Sequence, residues 1–209
     1  MERVRMTRDE RRAETREAVL AAAAVQFRAN GYAGTSIDEV AEAAGYSKGA
    51  VYSNFASKED LFLEVVTGNA RHYQAQLAAA LAAAETLEAK LAAFEEWVAV
   101  GLAEGSDWAA LEMEFGLLAR KDPEQFARLQ ARHLAYRDLL AAEFESYVGE
   151  MGFDLVLSPS QLADVFIMLV SGATLSRTLD PDLSSATVGL AASLLFARKP
   201  APDADAQDV

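Results

Sequence analysis

The sequence predicts an all-α protein of about nine helices, and three observations carry this reading. Long Ala-, Leu- and Glu-rich stretches are interrupted by only 5 prolines in 209 residues, and such side chains lose little rotamer freedom in a helix. Polar caps recur along the chain, several with glutamate or glutamine three residues on, which is how helices start. Strand-like alternation of apolar and polar residues is absent.

The first helix is expected from Arg8 to Asn30, with Ala18, Leu20, Ala21, Ala24, Val25 and Phe27 as its apolar face. Gly31 stops it, because glycine accepts the left-handed position after a helix, and Tyr32 folds back on the last turn. Ser36 and Glu39 form a capping box that opens the second helix, which ends at Gly45-Tyr46. A short third helix runs from Ser47 to Phe55, and Ser57 caps a fourth that continues to Ala84. Two helices follow, over 87–104 and 107–120, with Gly105-Ser106 as the break between them. Asp122-Pro123-Glu124-Gln125 starts a seventh, running to Val148, with proline at its first position. Ser158-Pro159-Ser160-Gln161 starts an eighth, to Leu179, and Ser184 or Ser185 starts the last, to Arg198. The acidic, Pro/Ala-rich tail 200–209 is expected to be disordered.

Composition narrows the function. With 52% hydrophobic and 24% charged residues the chain is of globular type. It has no cysteine, which excludes disulfides, thiolate metal sites and cysteine nucleophiles. No apolar run is long enough to span a membrane, and MERVRMTRDERR is too charged for a secretory leader, so a cytoplasmic location is expected. His72 and His133 are the only histidines, without a serine or carboxylate signature beside them. Phosphate-cradling glycine loops and nucleotide fingerprints are also missing, so neither an enzyme nor a cofactor or metal site is expected.

Net charge is −13, yet it is unevenly placed. Up to residue 55 the basic groups Arg3, Arg5, Arg8, Arg11, Arg12, Arg16, Arg28 and Lys48 balance Glu2, Asp9, Glu10, Glu14, Glu17, Asp38, Glu39 and Glu42. The neutral first part and the acidic remainder therefore suit different partners.

Residues 37–56, IDEVAEAAGYSKGAVYSNFA, place two short helices about a glycine turn, the helix-turn-helix pattern. Ala41 permits a close crossing, Val51 fills the space between the helices, and Val40 and Ala44 complete the inward side. The second helix of the pair exposes Lys48, Gly49, Ala50, Ser53 and Asn54. These are short or hydrogen-bonding groups with no carboxylate among them, as a helix entering the major groove needs.

FRANGYAGTSIDEVA followed by AAGYSKGAVYSNFASKEDLF resembles the DNA-binding domain of the tetracycline-repressor (TetR) family. The shared positions are Phe27, Gly31, Tyr32, Thr35, Ser36, Ile37, Ala41, Gly45, Ser47, Gly49, Tyr52, Phe55, Ser57, Lys58 and Leu61, and Ala56 departs from the proline or glycine common there. The resemblance implies phosphate contacts from Tyr52, Lys58 and Thr35 or Ser36, which fix register without reading sequence. It places Ser47, Lys48, Gly49, Ala50, Ser53 and Asn54 at the DNA. Asn54 either pairs with adenine or finishes its helix, and Lys48 reaches either a guanine edge or a phosphate. The arginines of the N-terminal arm and first helix reach the minor groove or phosphates, or are solvated and paired on the helix.

The acidic remainder supplies the other partners. The eighth helix is apolar on every side through Val165–Val170, and the ninth presents Val188, Leu190, Ala191, Leu194, Leu195 and Phe196. The resemblance implies that these two pair with their copies in a homodimer, with Phe166, Val170, Leu190 and Leu194 as interface candidates. Ligand-pocket candidates are Phe94, Trp97, Val98, Trp108, Met113, Phe115, Tyr136 and Phe166. Glu112 and Glu114 stand on successive sides of one helix, so at most one meets a cationic ligand, and His133 and Arg137 form either an anion site or a surface pair.

The resulting domain expectation is a DNA-binding domain over 1–56, a ligand-binding and dimerisation domain over 57–199, and the tail. The function expected is a DNA-binding transcription regulator acting on a pseudo-palindromic operator, a homodimeric repressor released by an apolar or amphipathic small-molecule effector. The alternative is a helical ligand-binding or interaction protein that no longer binds DNA.

Overall fold

A computed structural model describes residues 7–151, 156–180 and 182–196. Among them are eight α-helices and a closing 3-10 turn, and no strand. The helices are α1 (Arg8–Gly34), α2 (Ile37–Ala44), α3 (Lys48–Tyr52), α4 (Lys58–Ala83), α5 (Leu87–Ala119), α6 (Pro123–Met151), α7 (Pro159–Leu179) and α8 (Ser185–Ser193). The 3-10 turn is Leu194–Phe196. The tail 200–209, and Arg3 and Arg5 of the N-terminal arm, lie outside the described residues.

Caps decide most of the boundaries. Ser36 and Ser158 each accept from the backbone of the residue three on, while Glu39 and Gln161 reach back to the cap. Thr7 and Glu10 make a third such box, which starts α1. Gly31, at φ 76° and ψ 170°, breaks the helical path of α1 where the stop was expected, although helical bonding resumes to Gly34. That conformation is open essentially to glycine alone.

Three expectations are corrected. First, α5 is one helix across Gly105-Ser106. A glycine costs about 1 kcal/mol in a helix interior, Ser106 has Ala109 rather than a glutamate three residues on, and Leu102 and Trp108 on either side are both buried. Second, α3 ends at Tyr52 rather than Phe55. Ser53 Oγ and Asn54 Nδ2 both donate to the Ala50 carbonyl, at 2.8 and 2.9 Å, and such side-chain bonds compete with a further helical turn. Third, α1 buries Val19, Ala23 and Phe27, and leaves Val25 exposed. An alanine-rich stretch offers nearly equivalent faces, so the large residues Val19 and Phe27, two turns apart, set the register.

The chain forms two compact units. One comprises Met1–Ala75 with Asp107–Gln130, the other Gln76–Ser106 with Ala131–Val209. Neither is a continuous stretch, because the division falls inside α4, α5 and α6. Thus α4 supplies Leu61, Phe62, Val65 and Val66 to the core of the first unit and Leu77 and Leu81 to that of the second. In the first core Tyr32 meets Phe62 and Phe115 edge-on, with centroids at 5.0 and 4.8 Å, and Phe27 meets Phe62 at 5.1 Å. Aromatic pairs of this geometry add about 1 kcal/mol each beyond area burial. In the second, Phe94, Trp97 and Phe144 surround Phe166, with centroids at 5.6, 5.9 and 5.8 Å.

Candidate nucleic-acid interface

The helix-turn-helix is built by α2 and α3. Gly45 takes the left-handed conformation, φ 75° and ψ 25°, and its N–H and that of Tyr46 satisfy the Glu42 and Ala41 carbonyls at 3.0 and 2.9 Å. Beyond this turn Ser47 caps α3 by accepting from the Ala50 N–H at 3.2 Å. Val40, Ala41, Val51 and Phe55 are buried, anchoring the inward side of the pair on α1 and α4 residues of the same core. The outward side of α3 carries Lys48, Gly49, Tyr52 and Ser53, with Ala50 half-buried at its edge. Tyr52 is 47% exposed, so the core aromatic of this segment is Phe55.

Each polar candidate has a defined environment. Lys48 Nζ stands 2.8 Å from Asp38 Oδ2, and this bond holds the ammonium pKa above its usual value. Ser36 Oγ is tied into its capping box, donating to Glu39 and accepting from the Glu39 N–H. Lys58 lies with its Nζ 4.4 Å from the centroid of the Tyr32 ring, and partial burial lowers its pKa. The Tyr32 hydroxyl donates to Glu59 at 3.0 Å, and burial followed by that bond to a carboxylate raises its pKa.

Two of the expected contacts point into the protein. Thr35 is 2% exposed, and its hydroxyl donates to the Gly31 and Gln26 carbonyls at 2.8 and 3.1 Å. It closes the α1–α2 joint and presents no surface to a phosphate. Asn54 is half-buried with both ends of its amide engaged. Nδ2 donates to the Ala50 carbonyl, and Oδ1 accepts from Arg12 Nε at 3.4 Å. In this arrangement the Asn54 side chain finishes its helix.

Residues that the spacing alone does not single out complete the site. Glu114 of α5 accepts from the Tyr32 and Ala33 N–H groups, both at 2.9 Å, just past the break at Gly31. Its carboxylate is engaged by the backbone ahead of α2. Arg12 and Arg16, one turn apart on α1, reach carbonyls at the end of α3. Arg128 pairs with Asp60 in the first turn of α4. Of the pair His133 and Arg137, Arg137 pairs with Asp138.

The eight pocket candidates are distributed over the two cores and the surface. Trp108 and Phe115 are buried in the first core, while Phe94, Val98 and Phe166 are buried in the second, with Trp97 and Tyr136 packed against it. Met113 is 42% exposed. The interface candidates divide as well. Phe166 is buried in its own core with Val170 packed against it, whereas Leu190 and Leu194 are exposed. The exposed face of α7 carries Met168 and Leu179 instead, the latter 87% exposed. A helix apolar all round cannot show from sequence which face its own core takes.

Comparison with known proteins agrees with this architecture. The family model for bacterial regulatory proteins of the tetR family matches residues 19–65, from α1 into α4. The transcriptional repressor AcnR of Corynebacterium efficiens is 30% identical over 110 residues, 53% of either chain. The transcriptional regulator AcrR of Shigella flexneri is 44% identical over 52 residues, 25% of this chain and 24% of that one. The chain thus spans about half the length of the AcnR relative it matches, and about a quarter of AcrR. A solved structure from Mesorhizobium loti, assigned to the TetR-family transcriptional regulators, shares the fold with a TM-score of 0.67 at 24% identity. That match covers 91% of this chain and 96% of the other. No helix among the described residues is long and apolar enough to cross a membrane. The capped α2 and α3, turned about Gly45, lie inside the segment that matches the tetR family of bacterial regulatory proteins.

Proposed function

We propose that the protein is a cytoplasmic, homodimeric repressor that binds a pseudo-palindromic operator and is released by an apolar or amphipathic small molecule. The observation that carries this reading is the outward face of α3, where Tyr52 and short side chains stand exposed over a buried Val51 and Phe55. A helix with that face enters a major groove without steric or electrostatic conflict. In this reading Tyr52 and Ser36 meet phosphates, Gly49, Ala50 and Ser53 face the groove floor, and Lys48 meets either once it exchanges Asp38 for DNA.

One such head buries little surface, and a two-fold dimer doubles it. Met168, Leu179 and Leu194 are large apolar residues left exposed on α7 and at the end of α8, and these are the groups proposed to face the second copy. Two heads then meet successive major grooves about 34 Å apart. The aromatic cluster of Phe94, Trp97 and Phe166 is the proposed receiving end for an effector. An effector alters operator affinity only by binding the two states of the protein unequally.

The test is selection from a randomised duplex library with the full-length protein, followed by titration of the enriched sequence. A pseudo-palindrome is expected, and Tyr52→Phe is expected to weaken binding to selected and random duplexes alike. Failure to enrich any sequence at low salt without ligand would instead favour an interaction protein that has lost DNA binding.

A further inference from the structure

Helix α3 is only five residues long, Lys48–Tyr52, and a helix of that length does not hold itself together in water. What fixes its start is the Ser47 cap, and what fixes its end comes from another element. Arg16 Nη1 donates to the Asn54 carbonyl at 3.0 Å, and its Nη2 is paired with Glu64 of α4. Its guanidinium carbon lies 4.5 Å from the centroid of the Phe55 ring. One turn earlier, Arg12 Nη2 donates to the Ser53 carbonyl and Nε to Asn54 Oδ1, both at 3.4 Å. Two arginines on successive turns of α1 therefore take up the carbonyls that follow α3, where cations are also favoured by the helix dipole.

We infer that Arg16, seconded by Arg12, is a positioning residue for operator reading, holding the pitch of α3 rather than contacting DNA. This inference rests on the proposed operator-binding function. A planar fork is needed because one group must meet a carbonyl, a carboxylate and an aromatic face at once. Lysine carries the same charge but cannot span those partners. The donors of Arg16 that face α3 and α4 are committed inside the head, so a phosphate contact would have to break them. Loss of Arg16 frees the end of α3 to rock about its Ser47 cap. Base contacts depend on that pitch and backbone contacts depend on it far less, so selectivity falls before general DNA affinity does.

The experiment compares the full-length protein with Arg16→Lys and Arg16→Gln. Amide exchange in the absence of DNA reads the clamp directly. Both variants are expected to exchange about tenfold faster at Ser53, Asn54 and Phe55, with Val40 and Ala41 unchanged. Titration against the duplex enriched by the wild-type protein, and against a random duplex of equal length, reads the consequence. Both variants are expected to lose about fivefold or more for the enriched duplex, and to keep the wild-type affinity for the random one and the wild-type salt slope. The inference is overturned if Arg16→Lys behaves as wild type while Arg16→Gln weakens both duplexes and shallows the slope by about 1.8 for a dimer, the mark of a phosphate contact. Unchanged exchange in both variants overturns it as well. Should the wild-type protein enrich no sequence, the operator reading fails by itself, and the exchange rates still decide whether the arginines hold α3.

Discussion

Glu114 offers the sharpest test of how the helix-turn-helix unit is held. Its carboxylate accepts two backbone N–H groups, from Tyr32 and Ala33, each at 2.9 Å. It also lies against Gly31, where a Cβ would stand 3.0 Å from Oε2. Removing it with Glu114→Ala strands the half-buried Tyr32 N–H, at about 2 kcal/mol for a lost charge-assisted bond, while water replaces the exposed Ala33 bond at about 0.5 kcal/mol. The sum, about 2.5 kcal/mol, corresponds to a fall in Tm of about 5–10 °C for a chain of this size. Glu114→Gln keeps one acceptor but turns an NH2 group toward a donor, and should lose about half as much. Urea unfolding of the full-length chain measures both, with the exposed Glu96→Ala on the same helix as a control within about 0.5 kcal/mol. A Glu114→Ala value inside that same band would refute the reasoning, because the two bonds would then contribute nothing beyond what water supplies.

Two further outcomes follow from local conformation. Gly31→Ala should cost about 3 kcal/mol, since it combines a backbone region closed to alanine with pressure on Glu114, whereas Gly45→Ala, with open space about its Cβ position, should cost about 1 kcal/mol. Urea midpoints rank them, and the reverse order would contradict the assignment. The hydrogen bonds from the Ser36 backbone and hydroxyl hold the Glu39 pKa below its ordinary value. A depressed folded-state pKa gives stability that is present above the ordinary carboxylate range and lost as pH falls through the folded value. The stability gap between wild type and Glu39→Ala should therefore close on acidification, and a gap that widens would exclude the capping box as its source. If Met168 and Leu179 cover a second copy, Leu179→Glu should shift the protein toward monomer in sedimentation, while the exposed Leu117→Glu on α5 should not.

Most of the fold is legible because helix caps are local. Ser36, Ser47, Ser57, Ser158 and Ser184 each accept from a backbone N–H three residues on, and a short window of sequence contains both partners. What the sequence hides is settled at long range. Thr35 has the composition of a surface contact, and becomes internal only because the break at Gly31 brings two carbonyls to its hydroxyl. Glu114 finds its partners some eighty positions upstream, on a backbone whose free N–H groups exist only after the break has formed. Gly105-Ser106 has the look of a boundary, yet buried residues on both sides carry the helix through it. The proposed recognition surface is legible by elimination, because Val51 and Phe55 claim the inward side of α3 and leave Tyr52 outside.

A chain of net charge −13 that binds an operator as proposed also has to bring cations to it, and several of those on the described helices are already engaged. Lys48 is paired with Asp38, Arg16 with Glu64 and Arg128 with Asp60, while Arg12 is turned onto the carbonyl end of α3. A contact made by exchanging an internal carboxylate for a phosphate gains less than one made by a solvated cation. It still neutralises that phosphate and releases its counterion. With Lys48 and Lys58 as the contacting cations of each head, a dimer neutralises about four phosphates, and log K should fall with log salt at a slope of about −3.6. Titrations between about 50 and 200 mM salt measure it, over which affinity should drop roughly 150-fold. A slope of about −7 would mean that Arg12 and Arg16 leave their carbonyl and carboxylate partners for the backbone of the DNA. The internal pairs of the head would then be the resting state of a surface that rearranges on binding, and Arg16 would count as a DNA contact rather than a brace for α3.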